Sequence, residues 1–108
     1  MKAIALAFLL LTTSCIQEFD AQRWRSADLS TRLRAEMVDS LTRTYSLKGM
    51  TRGQIRALLG EPTRTDKWRG AGMVYVLGPN AGMPIDHDWL LLDLDAADRI
   101  TAYRVVSD

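Results

Sequence analysis

The chain of 108 residues carries one cysteine and one histidine. A single cysteine closes no internal disulfide, and a single histidine excludes multi-histidine metal sites. Neither charge is in excess: 14 Lys and Arg against 13 Asp and Glu leave a formal net charge of +1. Nucleic-acid-binding domains show a basic excess, so that class is disfavoured. No apolar run reaches the ~20 residues that a membrane-spanning helix needs. G-x-S-x-G, phosphate-loop and H-E-x-x-H patterns are lacking, as are internal repeats and low-complexity stretches. What is present is ordinary for one globular domain: 47% hydrophobic and 25% charged residues.

The first fifteen residues are unlike the rest. Lys2 gives a positive start, an apolar run extends from Ala3 to Leu11, and small residues lead into Cys15. This is the three-part layout of a secretory signal. A buried core helix is the alternative, but a segment apolar on every face suits a small domain poorly. The ending Leu11-Thr12-Thr13-Ser14-Cys15 resembles the lipobox of bacterial lipoproteins. The resemblance implies a diacylglycerol on the Cys15 thiol, cleavage just before it, and acylation of the new amino terminus. At about 0.8 kcal/mol per buried CH₂, two or three acyl chains hold a small domain on a membrane durably. Lipidation would also account for an odd cysteine in an exported protein. Ile16 stands where the lipoprotein resemblance treats aspartate as an inner-membrane retention signal, so it points to the outer membrane, facing the periplasm.

The expected organisation is a signal peptide over 1–14, a lipidated tether over 15–27 and a domain over 28–108. The tether shows no clear period. Within it, Trp24 between Arg23 and Arg25 either rests at the lipid interface or packs under the domain. Charge is unevenly spread, with 11 basic and 7 acidic residues over 15–69 against 2 basic and 6 acidic over 70–108. Either the two ends carry opposite potentials that orient docking, or the halves neutralise each other inside the fold.

The pattern predicts a helix from Asp28 to Leu47, with Leu29, Leu33, Met37, Leu41 and Tyr45 at four-residue spacing and Val38 widening the stripe. That stripe packs on the domain or serves as a dimer surface. Gly49 provides the left-handed exit. A second, short helix follows, with Thr51 and Gln54 forming a capping box and Met50 and Ile55 a hydrophobic staple. Leu58 and Leu59 complete its apolar face, Gly60 closes it and Pro62 prevents continuation. Gly53 marks either a close backbone approach or a tolerated weak position.

Strand patterns then take over. Arg64–Arg69 and Met73–Leu77 are candidates, the latter stopping at Gly78-Pro79-Asn80. Trp89–Leu94 and Arg99–Val106 follow, joined by a tight turn at 95–98 in which Asp98 is the candidate for positive φ. Leu90, Leu92 and Leu94 share one face of their strand, and Trp89, Leu91 and Asp93 the other. The second face is oddly apolar for solvent. Two helices followed by three or four antiparallel strands predict an α+β two-layer sandwich, with the helices on one face of the sheet.

The segment from Gly49 through Thr51, Gln54, Leu58-Leu59-Gly60 to Pro62 resembles the hallmark of the SmpA/OmlA (BamE-like) outer-membrane lipoproteins. Trp68, the Tyr75–Gly78 stretch and Leu90–Leu94 through Ile100 continue the resemblance, which covers Lys48 to Val106. It implies two helices on an antiparallel sheet, related to β-lactamase-inhibitor-protein domains. It also implies a small non-enzymatic lipoprotein that supports outer-membrane protein assembly or binds partners in the cell envelope.

Catalytic residue types cluster only at Asp86-His87-Asp88, where neighbours on a strand point to opposite faces; a solvated loop is the simpler reading. Asp93 and Asp95 border a turn, where aspartates are expected for turn reasons. The sequence therefore points to a binding module with no enzyme activity, no cofactor and no metal. As a scaffold it would dock an envelope protein, with Trp68, Tyr75, Trp89 and Leu91 as candidate contacts, since aromatics dominate interface energetics. As an inhibitor-like module it would present the 79–84 loop to an envelope hydrolase. A third option is lipid or peptidoglycan contact through the arginine-rich side.

Overall fold

The computed structural model describes residues 17–108; Cys15 and the signal expected over 1–14 lie outside them. The elements are α1 (Ala21–Arg25), α2 (Leu33–Thr44), α3 (Arg52–Leu59), β1 (Met73–Pro79), β2 (His87–Leu94) and β3 (Ile100–Ser107). The helices precede a three-stranded antiparallel sheet of order β1-β2-β3, an α+β fold as the element order predicts.

The segment 17–27, expected as a tether, is instead built into the domain. Asp20 caps α1 by accepting from the Arg23 N–H at 2.9 Å, and Trp24 is fully buried. Phe19 stands 5.9 Å from the Trp24 ring and 5.6 Å from Tyr45. A helix of five residues is too short to display a period, and its one large apolar residue carries the packing. Of the two readings of Trp24, the structure shows the one under the domain.

α2 starts later than the periodicity suggests. Asp28 closes a separate turn, accepting from the Ser30 N–H at 2.9 Å and from its hydroxyl at 2.7 Å, so Leu29 falls outside the helix and is exposed. Met37 and Leu41 are fully buried, Leu33 and Val38 pack at the margin of the core, and Tyr45 lies just past the helix end, partly exposed. The helix also buries a residue the apolar stripe does not include. Arg34 donates from Nε to the Trp24 carbonyl at 2.9 Å and from Nη1 to the Val76 carbonyl at 3.2 Å, clamping α1, α2 and β1 together.

α3 follows its sequence signals closely. Thr51 accepts from the Gln54 N–H at 3.1 Å while the Gln54 side chain accepts from the Thr51 N–H at 2.9 Å. Ile55 and Leu59 are buried, and Gly60 ends the helix at a φ of 83°.

No strand forms over 64–69, so the sheet has three strands and not four. Thr63 occupies the edge of β1, donating its N–H to the Val74 carbonyl at 2.8 Å and accepting from the Val76 N–H at 3.0 Å. Beyond it the chain turns, with the Ala71 N–H bonded to the Trp68 carbonyl, and lays Trp68 across the back of the sheet. β1 itself continues through Gly78 and Pro79, where a turn was expected. A bulge falls between Val76 and Gly78, and Gly78 adopts a φ of 123°. Pro79 is accommodated because β1 is an edge strand. The turn that follows spans Asn80–Asp86, and Asp98 has the expected positive φ of 66°.

The two faces of the sheet carry separate clusters. Met73, Tyr75, Leu77, Leu90, Leu92 and Ile100 pack under the helices with Trp24, Met37, Leu41, Ile55 and Leu59. Val74, Val76, Trp89 and Leu91 form a second cluster on the back, closed by Trp68, Ala71 and Val106.

Candidate interaction surfaces

The four residues offered as partner contacts are occupied inside the chain. Tyr75 is fully buried and its hydroxyl donates to the Gly60 carbonyl at 2.7 Å. Burial, reinforced by Glu61, pushes its pKa up to about 12. Leu91 is 1% and Trp89 7% exposed, and Trp68 covers them with its ring 6.2 Å from that of Trp89. The oddly apolar face of β2 is therefore a small second core under the 64–72 loop, not an open patch.

The segment from Gly49 to Pro62 has a structural task. Gly49, at a φ of 93°, donates its N–H to the Ile100 carbonyl, and the Ile100 N–H donates to the Met50 carbonyl, both at 2.8 Å. Thr51 bridges to Arg99, the Arg52 N–H donates to the Asp98 carbonyl, and the Arg52 guanidinium pairs with the Asp98 carboxylate at 3.1 Å. Together these bonds fix α3 to the β2–β3 turn.

The acidic residues near the turns are likewise engaged. Asp88 accepts from Asn80 and the Ser107 hydroxyl, each at 2.8 Å, and pairs with Arg32 at 3.1 Å. Burial pushes its carboxyl up, but the bonds from Asn80, Ser107 and Arg32 together hold it below the ordinary 3.8. Asp93 pairs with Arg104 at 3.2 Å, and Asp95 accepts from the Ala97 and Arg99 N–H groups. These two carboxylates thus serve different partners. Among the described residues, no group of three His, Cys, Asp or Glu is placed to hold a metal ion. Arg32–Asp88, Arg52–Asp98 and Lys67–Asp108 pair the basic first part with the acidic second. The other three ion pairs among the described residues, Arg43–Asp39, Arg56–Glu61 and Arg104–Asp93, lie within one part, so neutralisation across the two parts is only partial.

Among the described residues, two surfaces stay open. The first is the outer side of β3. Val74 and Val76 direct their backbone groups away from β2, toward Thr63 and Arg34. Their ladder partners Leu91 and Trp89 therefore face β3, where they oppose Arg104 and Val106. The alternation leaves the backbones of Tyr103 and Val105 pointing outward, beyond the point where Gly49 and Met50 cover Ile100. Both side chains are exposed, and Tyr103 borders a cleft of about 380 Å³ lined by Thr42, Arg43, Tyr45 and Lys48.

The second is the β1–β2 loop. Asn80 organises it: its Oδ1 accepts from the Gly82 and Met83 N–H groups at 2.9 Å, and its own N–H donates to the Asp86 carbonyl at 2.9 Å. On this frame Met83 is 55% and Ile85 83% exposed. The sequence marked the loop by its Gly and Pro content, but the outward Ile85 carries no signal that separates it from a core residue.

Comparison with family models, with curated proteins and with solved structures returns no match.

Proposed function

We propose that this chain is a lipid-anchored protein of the bacterial cell envelope that acts as a non-enzymatic binding module, held on the outer membrane through Cys15. The lipobox-like ending at Cys15 carries the anchor, and it is followed almost at once by folded chain, since the Gln17 N–H already bonds to the Glu36 carbonyl. The resemblance of the Gly49–Pro62 segment to SmpA/OmlA lipoproteins supports a scaffold in outer-membrane protein assembly or envelope maintenance. The α+β fold is compatible with that reading.

The binding surface we assign is the open edge of β3 with the Tyr45–Tyr103 cleft. An outward backbone row offers a partner strand its hydrogen bonds, and Tyr103 and Val105 offer apolar contact. The test is photo-cross-linking in cells from position 103, with position 68, partly buried on the back of the sheet, as the comparison. The expected result is an adduct with a membrane-associated envelope protein at 103 and none at 68. A chain recovered from the soluble fraction without an adduct at 103 contradicts the proposal.

A further inference from the structure

The start of the folded chain and the apolar loop lie toward one end of the molecule. The Phe19 N–H bonds to the Ser40 hydroxyl, and the Gln17 N–H to the Glu36 carbonyl, so the chain runs back along α2 toward its beginning. One helical turn further on, about 6 Å, Arg32 reaches the Pro79 carbonyl and Asp88. There the Thr31 carbonyl packs against Gly78. The exposed 80–86 loop follows that contact directly in the chain, and exposed Leu29 lies in the turn just before Thr31. Cys15 precedes Gln17 by two residues, a span of at most ~7 Å.

From this arrangement we infer that the tip Ala81-Gly82-Met83-Pro84-Ile85 inserts into the surface of the bilayer that holds Cys15, fixing how the domain stands on the membrane. The inference rests on the lipid anchor of the proposed function. Three observations carry it. With no slack tether, the end of the domain nearest Cys15 is held against the headgroups. The tip is five residues without a charge, and Asn80 braces its turn with bonds from the Gly82 and Met83 N–H groups. Its two large side chains are among the most exposed hydrophobics of the described residues. The neighbouring Asp88 is neutralised by Arg32, and exposed Glu18 lies on the same run of chain, so the surface that fits is zwitterionic and not strongly anionic. An acyl anchor supplies the affinity, and the tip supplies the orientation.

The test uses the full lipidated chain reconstituted in phosphatidylcholine vesicles with and without brominated acyl chains. Trp24, Trp68 and Trp89 lie within the fold, so an added tryptophan reports its own surroundings against a steady background. Ile85→Trp is expected to lose emission to the bromines and shift to the blue, whereas Ser46→Trp, past the far end of α2, matches wild type. Met83→Ser with Ile85→Ser should leave flotation with the vesicles intact while removing the part of the hydrogen-exchange protection over 80–86 that vesicles add to the loop's own bonds. Flotation with unquenched Ile85→Trp overturns the inference alone and returns the loop to an inhibitor-like role in a protein cleft. Failure of the wild-type chain to float overturns the anchor, and this inference with it.

Discussion

Arg34 lies over the ring of Trp24, its guanidinium carbon 5.1 Å from the ring centroid, while donating to the Trp24 carbonyl. One side chain thus satisfies a carbonyl of the first helix, a carbonyl of the first strand and the face of a buried indole. It is 7% exposed and faces no carboxylate among its bonds. Its charge is held by backbone oxygens and a π-face, which makes it the joint between the amino-terminal segment and the sheet.

Arg34→Met should therefore cost about 1–3 kcal/mol for the Val76 carbonyl left buried and unpaired, while the Trp24 carbonyl keeps its bond from the Ala27 N–H at 3.3 Å. Arg34→Lys recovers only part, because an ammonium lacks the planar fork. Trp24→Ala should cost about 3–5 kcal/mol, and the double variant should cost less than the sum. Urea unfolding followed by circular dichroism measures all of these. Additive losses would show that the two residues act separately.

Glycine positions divide by sign. A Cβ at Gly78 would stand 2.2 Å from the Thr31 carbonyl oxygen, at a φ of 123°. Gly78→Ala should destabilise well beyond the typical ~1 kcal/mol of a point variant. At Gly53 a Cβ would meet nothing nearer than the Thr51 hydroxyl at 3.9 Å. Gly53→Ala should stabilise α3 by up to about 1 kcal/mol. Thermal unfolding of both variants checks the opposite signs.

Thr51→Ala removes one half of the capping box and should cost about 1 kcal/mol, with Thr51→Ser close to neutral. Because Thr51 also bridges to Arg99, hydrogen exchange at the Arg52 and Ile100 amides should quicken together. Faster exchange in α3 alone would mean that the helix and the β2–β3 turn are not coupled.

Acid should loosen the carboxyl end of the sheet first. The backbone bond from His87 and the bond from Lys67 bring Asp108 down to about 2 from an ordinary 3.8, and Asp88 is also lowered. A depressed carboxyl contributes stability above its unfolded value and loses it as pH falls through the folded one. Stability should therefore fall between pH 3.8 and about 2, and Asp88→Asn should flatten that slope while lowering stability at neutral pH. Chemical unfolding across this range checks it; an unchanged slope in the variant contradicts the assignment.

Where local signals and tertiary contacts agree, the sequence is easily read. Thr51, Gln54, Gly60 and Asp98 each need a particular backbone geometry that few residues supply, and each is found in it. Trp24 was harder, because five helical residues show no period and burial comes from Phe19, Arg34 and the sheet. Trp89 and Leu91 are apolar on a face of β2 that alternation exposes. Only the course of the 64–72 loop, set by Thr63 bonding along β1, shows that Trp68 covers them. The exposed Ile85 and Tyr103 are apolar residues of a kind usually buried, so composition alone could not place them outside.

The most direct test of the account is the intact mass of the membrane-extracted chain made in a bacterial host. Loss of residues 1–14 and an added diacylglycerol on Cys15 are expected, with Cys15→Ser leaving the membrane fraction. An unmodified thiol on a chain still bound to the membrane, or a lipid-free chain in the soluble fraction, would contradict it.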